Sequence, residues 1–208
     1  MDGYALSVDL GISGRKALVA ASSAGLGYAT AAALGQAGCL VVISGRNEER
    51  LHEAAASIPN SIPIVSDVST VDGATSLIED AEQAFGSGID ILVTNAGGPP
   101  PGDFASTEVD AYSSAIDLNL MSVIAMCKAS VPGMQERKWG RVLAITSISV
   151  RQPIPNIMLS NTARAGATGF LKTLALEVAK DGVTVNSIQP GFHATDRVTS
   201  IYGDADLN

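Results

Sequence analysis

Three groups of residues in this sequence have the types and spacing for chemistry. The first is Ala21-Ser22-Ser23-Ala24-Gly25-Leu26-Gly27, where two serines and two glycines join an apolar, β-branched run to a helical one. Such a turn lets a pyrophosphate approach the backbone, with helix amides and a positive dipole end as donors. An ordinary tight strand-to-helix turn would use the same residues. The second is Gly45-Arg46, at the end of the next apolar run. A carboxylate there would hold the ribose hydroxyls of NAD, whereas Gly45 leaves room and Arg46 presents a guanidinium fork to a 2'-phosphate, so NADP is expected ahead of NAD. The plain alternative for Arg46 is a solvated residue ahead of a charged helix. The third is Ser160 with Arg164, four residues apart and so on one face of a helix. On their spacing alone they read as a helix-start serine and a locally bonded arginine. His193, after a Pro-Gly turn, is a candidate proton donor near neutral pH.

These groups need a scaffold, and the pattern of apolar runs supplies one. Short β-branched runs at 16–21, 40–44, 62–65, 89–94, 141–146 and 184–188 alternate with helical segments at 26–37, 48–57, 71–85, 109–135 and 161–180. Unbroken apolar strands of this length suit a sheet covered on both faces. Repeated βα units with right-handed crossovers then predict a doubly wound parallel sheet, a three-layer α/β/α Rossmann fold, in one domain over 1–208. Gly38 and Gly86 stop helices, and Asn47 with Glu48 and Glu49 starts one. The proline-rich loop at 97–102 follows the fourth run, where such a sheet binds ligands.

Composition removes other classes. Hydrophobic residues at 46% and charged residues at 16% exclude a disordered chain. Thirteen Lys and Arg against 21 Asp and Glu leave a net charge of -8, and no basic run offers a track for nucleic acid. The uncharged stretch 17–45 is interrupted by Ser22, Gly25, Gly35 and Gly38, which favours strand-helix-strand over a membrane span. Asp2 and Asp9 stand where a signal peptide would be basic and then apolar, so a cytoplasmic protein is expected. Cys39 and Cys127 lack ligand spacing and read as small buried hydrophobes, with no metal site.

Taken together, the turn at 20–27, Asp67-Val68, Thr94-Asn95-Ala96-Gly97, Asn119, Ser147, and Pro190-Gly191 with Thr195 occur in an order that resembles the short-chain dehydrogenase/reductase family, within it the 3-oxoacyl-carrier-protein reductases. The resemblance implies that Asp67 and Val68 hold the adenine and that Asn95, Ala96 and Gly97 floor the cofactor. It implies that Pro190, Gly191, His193 and Thr195 embrace the nicotinamide. Ser147 would polarise a substrate oxygen, and Asn119 would hold a helical kink and a relay water. A small carbonyl or alcohol is the implied substrate and a homodimer or homotetramer the implied assembly.

The same resemblance exposes departures. It expects Tyr and Lys where this sequence has Ser160 and Arg164, and Thr and Gly where it has Ala20 and Ala21. Ala at the turn is expected to be tolerated if no positive φ is required. A serine hydroxyl is a poorer acid than a phenol, so Ser160 and Arg164 are expected to act by hydrogen bonding and charge, with Arg164 also reaching the cofactor ribose. A nucleotide-binding regulator or oligomer partner that has lost turnover is the alternative. Family chains continue past the region of Asp196 through a segment that covers the substrate; this sequence stops at Asn208, so that cover is expected to be missing.

Overall fold

The computed structural model describes residues 9–193 together with Thr195, Val198 and Thr199. The readings of Asp2 and of the ending at Asn208 fall outside those residues. The apolar runs form β1 (Lys16–Val19), β2 (Leu40–Gly45), β3 (Ser61–Val65), β4 (Ile91–Thr94), β5 (Gly140–Ile145) and β6 (Val183–Ile188). All pair in parallel, in the order β3-β2-β1-β4-β5-β6. This is the doubly wound α/β sheet that the alternating runs predict. The order reverses between β1 and β4, which opens a crevice at the carboxyl ends of the strands.

Side chains alternate across the sheet with the two-residue period of a strand. Ala17 and Val19 of β1, Val41 and Ile43 of β2, and Ile91 and Val93 of β4 face α1 (Gly25–Gln36) and α2 (Glu48–Ser57). Leu18, Val42 and Leu92 face the other layer, α3 (Val71–Phe85), α5 (Ser122–Glu136) and α6 (Met158–Val178). Leu18, Ile43, Leu77, Ile78 and Leu92 are fully enclosed, each contributing roughly 1.5–3 kcal/mol from burial. Cys39 and Cys127 are free and buried, and burial pushes the Cys127 thiol up to about 12. At the amino-terminal end of β5, the guanidinium groups of Arg15, at 3.8 Å, and Arg141, at 4.4 Å, lie over the Trp139 ring.

The helix starts differ in a way that matters for the site. Asn47 caps α2 by accepting from Arg50 N at 2.8 Å, and Thr70 caps α3 by accepting from Gly73 N at 3.0 Å. The residue ahead of α1 is Ala24, whose side chain makes no such bond. The first amides of α1 therefore need another acceptor.

Three local expectations change. β1 ends at Val19 rather than at 21, because Ala21 turns the chain at φ +47, in the left-handed region. The expected indifference of the turn to alanine is thus corrected: its Cβ sits where a side chain costs roughly 1 kcal/mol. The long helix expected over 109–135 is broken into α4 (Ala111–Ile116), a π-helical turn at Asp117–Met121, and α5. Helix α6 begins at Met158, ahead of the expected 161, so Ser160 lies inside its first turn and Ile157 is the cap residue. Ala111–Glu136 is long and apolar enough to cross a membrane by length and composition, and half of that window is buried in the fold, as in a core helix. The stretch 17–45 is β1, α1 and β2.

Candidate functional site

The turn after β1 is held by a latch of two serines. Ser22 Oγ donates to Val19 O at 2.6 Å and accepts from Ser44 N at 3.0 Å, while Ser22 N donates to Ser44 O at 2.7 Å. Ser44 Oγ accepts from Ala21 N at 3.1 Å, and Asn95 Nδ2 donates to Ala21 O at 3.0 Å. The exits of β1, β2 and β4 are thereby tied together. Gly27 packs against this latch: a Cβ there would lie 2.6 Å from Ala21 O and 2.7 Å from Asn95 Nδ2. Ser22, expected among the cofactor contacts, is fully buried and absent from the cavity wall, so its hydroxyl shapes the turn instead.

The strand ends bound one cavity of about 740 Å³. At its first end the wall is Ser23, Gly25, Leu26 and Gly27, then Gly45 and Arg46, then Asp67 and Val68. Arg50, in the first turn of α2, also reaches this wall; the sequence reading missed it. Desolvation raises the Asp67 carboxyl, but hydrogen bonds from Ser69 and the charge of Arg46 outweigh it, and the net shift is downward. Asp67 therefore stays ionised within an otherwise cationic rim. A Cβ on Gly45 would come within 3.2 Å of both the Ser23 Cβ and its Oγ, which at 3.1 Å is the nearer, so glycine keeps this passage open.

Asn95, Ala96 and Gly97 form the middle of the wall, and Pro190, Gly191, His193 and Thr195 close it from the β6 side. The loop from Gly97 joins the wall as expected, and Gly102 is stitched to the approach of α6 by Gly102 N donating to Asn156 O at 2.9 Å. These features fit a nicotinamide dinucleotide: uncapped amides at α1, a close backbone approach that only Gly27 permits, and guanidinium groups beside Gly45 for a phosphate.

At the other end stand Ser147, Ser160 and Arg164. Ser147 follows β5, and its Oγ accepts from Ser149 N at 3.1 Å. Arg164 Nε donates to Ser160 Oγ at 3.2 Å, and its Nη1 donates to Ile145 O at 3.0 Å and Thr146 O at 3.2 Å. The two side chains share a helix face, and the strand end fixes the guanidinium. Asn119 does not line this cavity. It sits in the π-helical turn, with Nδ2 donating to Gly97 O at 2.9 Å. A separate cavity of about 10 Å³, on the scale of one water, lies between Asn119, Thr94 and Arg164. Asn119 is thus placed to position the Gly97 loop rather than to touch a ligand in the large cavity.

The pattern of the short chain dehydrogenase family matches residues 15–206. The chain belongs to that family. A 3-oxoacyl-[acyl-carrier-protein] reductase of Synechocystis sp. is 36% identical over 190 residues, 89% of this chain and 76% of that one. Dehydrogenase/reductase SDR family member 4 of Pongo abelii is 32% identical over 88% of this chain and 68% of its own length. The L-sorbose reductase of Gluconobacter frateurii, solved in complex with NADPH and L-sorbose, superposes with a TM-score of 0.85 at 34% identity, over 91% of this chain and 73% of that one. This short-chain dehydrogenase is therefore a member of an oxidoreductase family, with the parallel α/β sheet of its solved relatives.

Proposed function

We propose that the chain is an NADP-dependent oxidoreductase acting on a small carbonyl or alcohol, with 3-oxoacyl compounds among the candidates. The observation that carries this reading is the single cavity joining the uncapped start of α1 and the Gly45-Arg46 rim to Ser147. The α1 amides at Gly25, Leu26 and Gly27 take the pyrophosphate, and Ser23 and Arg46 take the 2'-phosphate. Asp67 and Val68 border the adenine, Asn95, Ala96 and Gly97 floor the groove, and Pro190, Gly191, His193 and Thr195 enclose the nicotinamide. A bound nicotinamide supplies or accepts the hydride.

Ser147 donates a hydrogen bond to the substrate oxygen, and Ser160 and Arg164 favour negative charge there. Arg164 also faces the ribose, and Asn119 positions the loop through Gly97. The NADPH-bound sorbose reductase supports NADP, and the net charge of -8 argues against nucleic acid. A cytoplasmic homodimer or homotetramer, free of membrane, completes the proposal. Calorimetry with NADP, NADPH and NAD tests it first: association with the phosphorylated forms ahead of NAD is expected, and no association would overturn it. Ser147→Ala should then lower NADPH consumption with a reducible carbonyl by about 100- to 1,000-fold.

A further inference from the structure

Both serines at the reaction end enter the cavity as donors. Ser147 Oγ accepts from Ser149 N, and Ser160 Oγ accepts from Arg164 Nε, so the protein already fills an acceptor site on each hydroxyl. Among the described residues neither hydroxyl donates to a protein acceptor, which leaves both O–H protons for a ligand oxygen. Ser160 is 8% exposed and lines the cavity, so its donor is withdrawn from bulk water. A pair of donors in a partly dry pocket, one of them held against a guanidinium, favours an oxygen that carries negative charge.

The same groups are poor proton sources. A phenol ionises near pKa ~10 and water near ~15.7, so a neutral hydroxyl that must hand its proton to an alkoxide lacks the acidity of a phenol by about five units. That mismatch vanishes if the product oxygen is itself phenol-like and leaves as its anion.

We infer that Ser147 and Ser160 form a two-hydroxyl oxyanion site whose preferred ligands are phenolates, and that the substrate class is accordingly quinones rather than isolated ketones. The inference rests on the proposed cofactor reading and names the substrate for the same site. When a quinone takes one hydride at the ring carbon β to the carbonyl that the serines hold, the dihydronicotinamide C–H bond breaks and a ring C–H bond forms. The charge falls on the held oxygen as a conjugated enolate rather than an alkoxide. That ring carbon then loses a proton and the far oxygen gains one through water, which gives the hydroquinone monoanion and the oxidised nicotinamide. The second proton comes from solvent after release. No side chain has to surrender a proton, and the serines only hold the charge. Leu118, Ile148, Ile154, Ile157, Pro99 and Pro100 give this end of the cavity apolar walls for a flat ring. Among the described residues, the charged and titratable groups on the cavity wall are Arg46, Arg50, Asp67, Arg164 and His193, of which Arg164 is bonded to Ser160.

The test is a spectrophotometric titration with para-nitrophenol, whose anion absorbs where the neutral form does not, run across pH with and without saturating NADP. Phenolate should bind at least about tenfold more tightly than the neutral phenol, a downward shift of about one unit in its apparent ionisation. Ser160→Ala should remove that preference and Ser160→Thr should keep it, with NADP affinity by calorimetry the same in both. In turnover, menadione should exceed cyclohexanone in kcat/KM by at least about a thousandfold. Equal binding of phenol and phenolate, an unchanged preference in Ser160→Ala, or comparable turnover of cyclohexanone would each overturn the oxyanion assignment. Calorimetry reports separately on the cofactor reading, and the titration without NADP reads the serine pair even if that reading fails.

Discussion

Where the cavity passes β1 and β2, its wall is largely backbone: amides of α1, a glycine pressed against a carbonyl, and the gap left by Gly45. Where it passes β5 and α6, the wall is made by the tips of Ser147, Ser160 and Arg164. The two ends respond differently to sequence change. A backbone wall keeps its donors when side chains change, as the turn does despite Ala20 and Ala21, whereas a side-chain wall changes its chemistry with each substitution. A dinucleotide site can therefore persist in this chain beside a reaction end with its own donor set.

Substitutions at the backbone end should separate shape from charge. The largest effect is expected for Gly27→Val, whose branched side chain must displace Ala21 O and Asn95. The loss should be about 3 kcal/mol or more, with NADP binding abolished, as read by thermal denaturation and calorimetry. A stable, NADP-binding Gly27→Val protein would show that this wall is not rigid backbone. Next is Arg46→Ala, which should weaken NADP by about 1.5–3 kcal/mol, roughly 10- to 150-fold, and leave NAD unchanged. Equal loss of both cofactors would assign Arg46 to the shared adenosine instead.

Ala21→Gly should act in the opposite sense, raising stability by up to about 1 kcal/mol, because glycine relieves the left-handed strain at φ +47 and loses only part of that gain to unfolded-chain entropy. Urea denaturation measures it. The smallest effect concerns acid. The Asp67 carboxyl is held below its ordinary value in the folded chain, so its contribution is complete above the unfolded pKa and fades as pH falls through the lowered one. Asp67→Asn should flatten the acid limb of the stability curve slightly, the carboxylate being solvent-exposed.

The strands were readable because parallel sheets buried on both faces demand uninterrupted apolar runs, and the first turn because two glycines flank it. What stayed hidden depended on direction rather than composition. Ser22 and Ser23 are adjacent and chemically identical, yet one closes a latch with Ser44 and the other faces the cavity. Nothing local distinguishes them, since the partner comes from β2. Ala21 gave no sign of its positive φ, because alanine carries no marker for it. The helical kink that the resemblance implies at Asn119 is the π-helical turn Asp117–Met121, but the partner of its amide, Gly97 O, lies 22 positions away in sequence and has no local signal. Arg50 carried no distinguishing mark, being one of three consecutive charged residues at the start of α2.

The indole at the far end of the sheet has a practical use. Trp139 is the single tryptophan of the chain, and it lies just ahead of β5, whose other end borders the cavity, a separation of roughly 17 Å along a strand. Its emission, sensitive to the two guanidinium groups over the ring, should follow loss of this end of the sheet during denaturation. Fluorescence of a reduced dinucleotide would follow occupancy at the opposite side, so one cuvette can read unfolding and ligation through two separate colours.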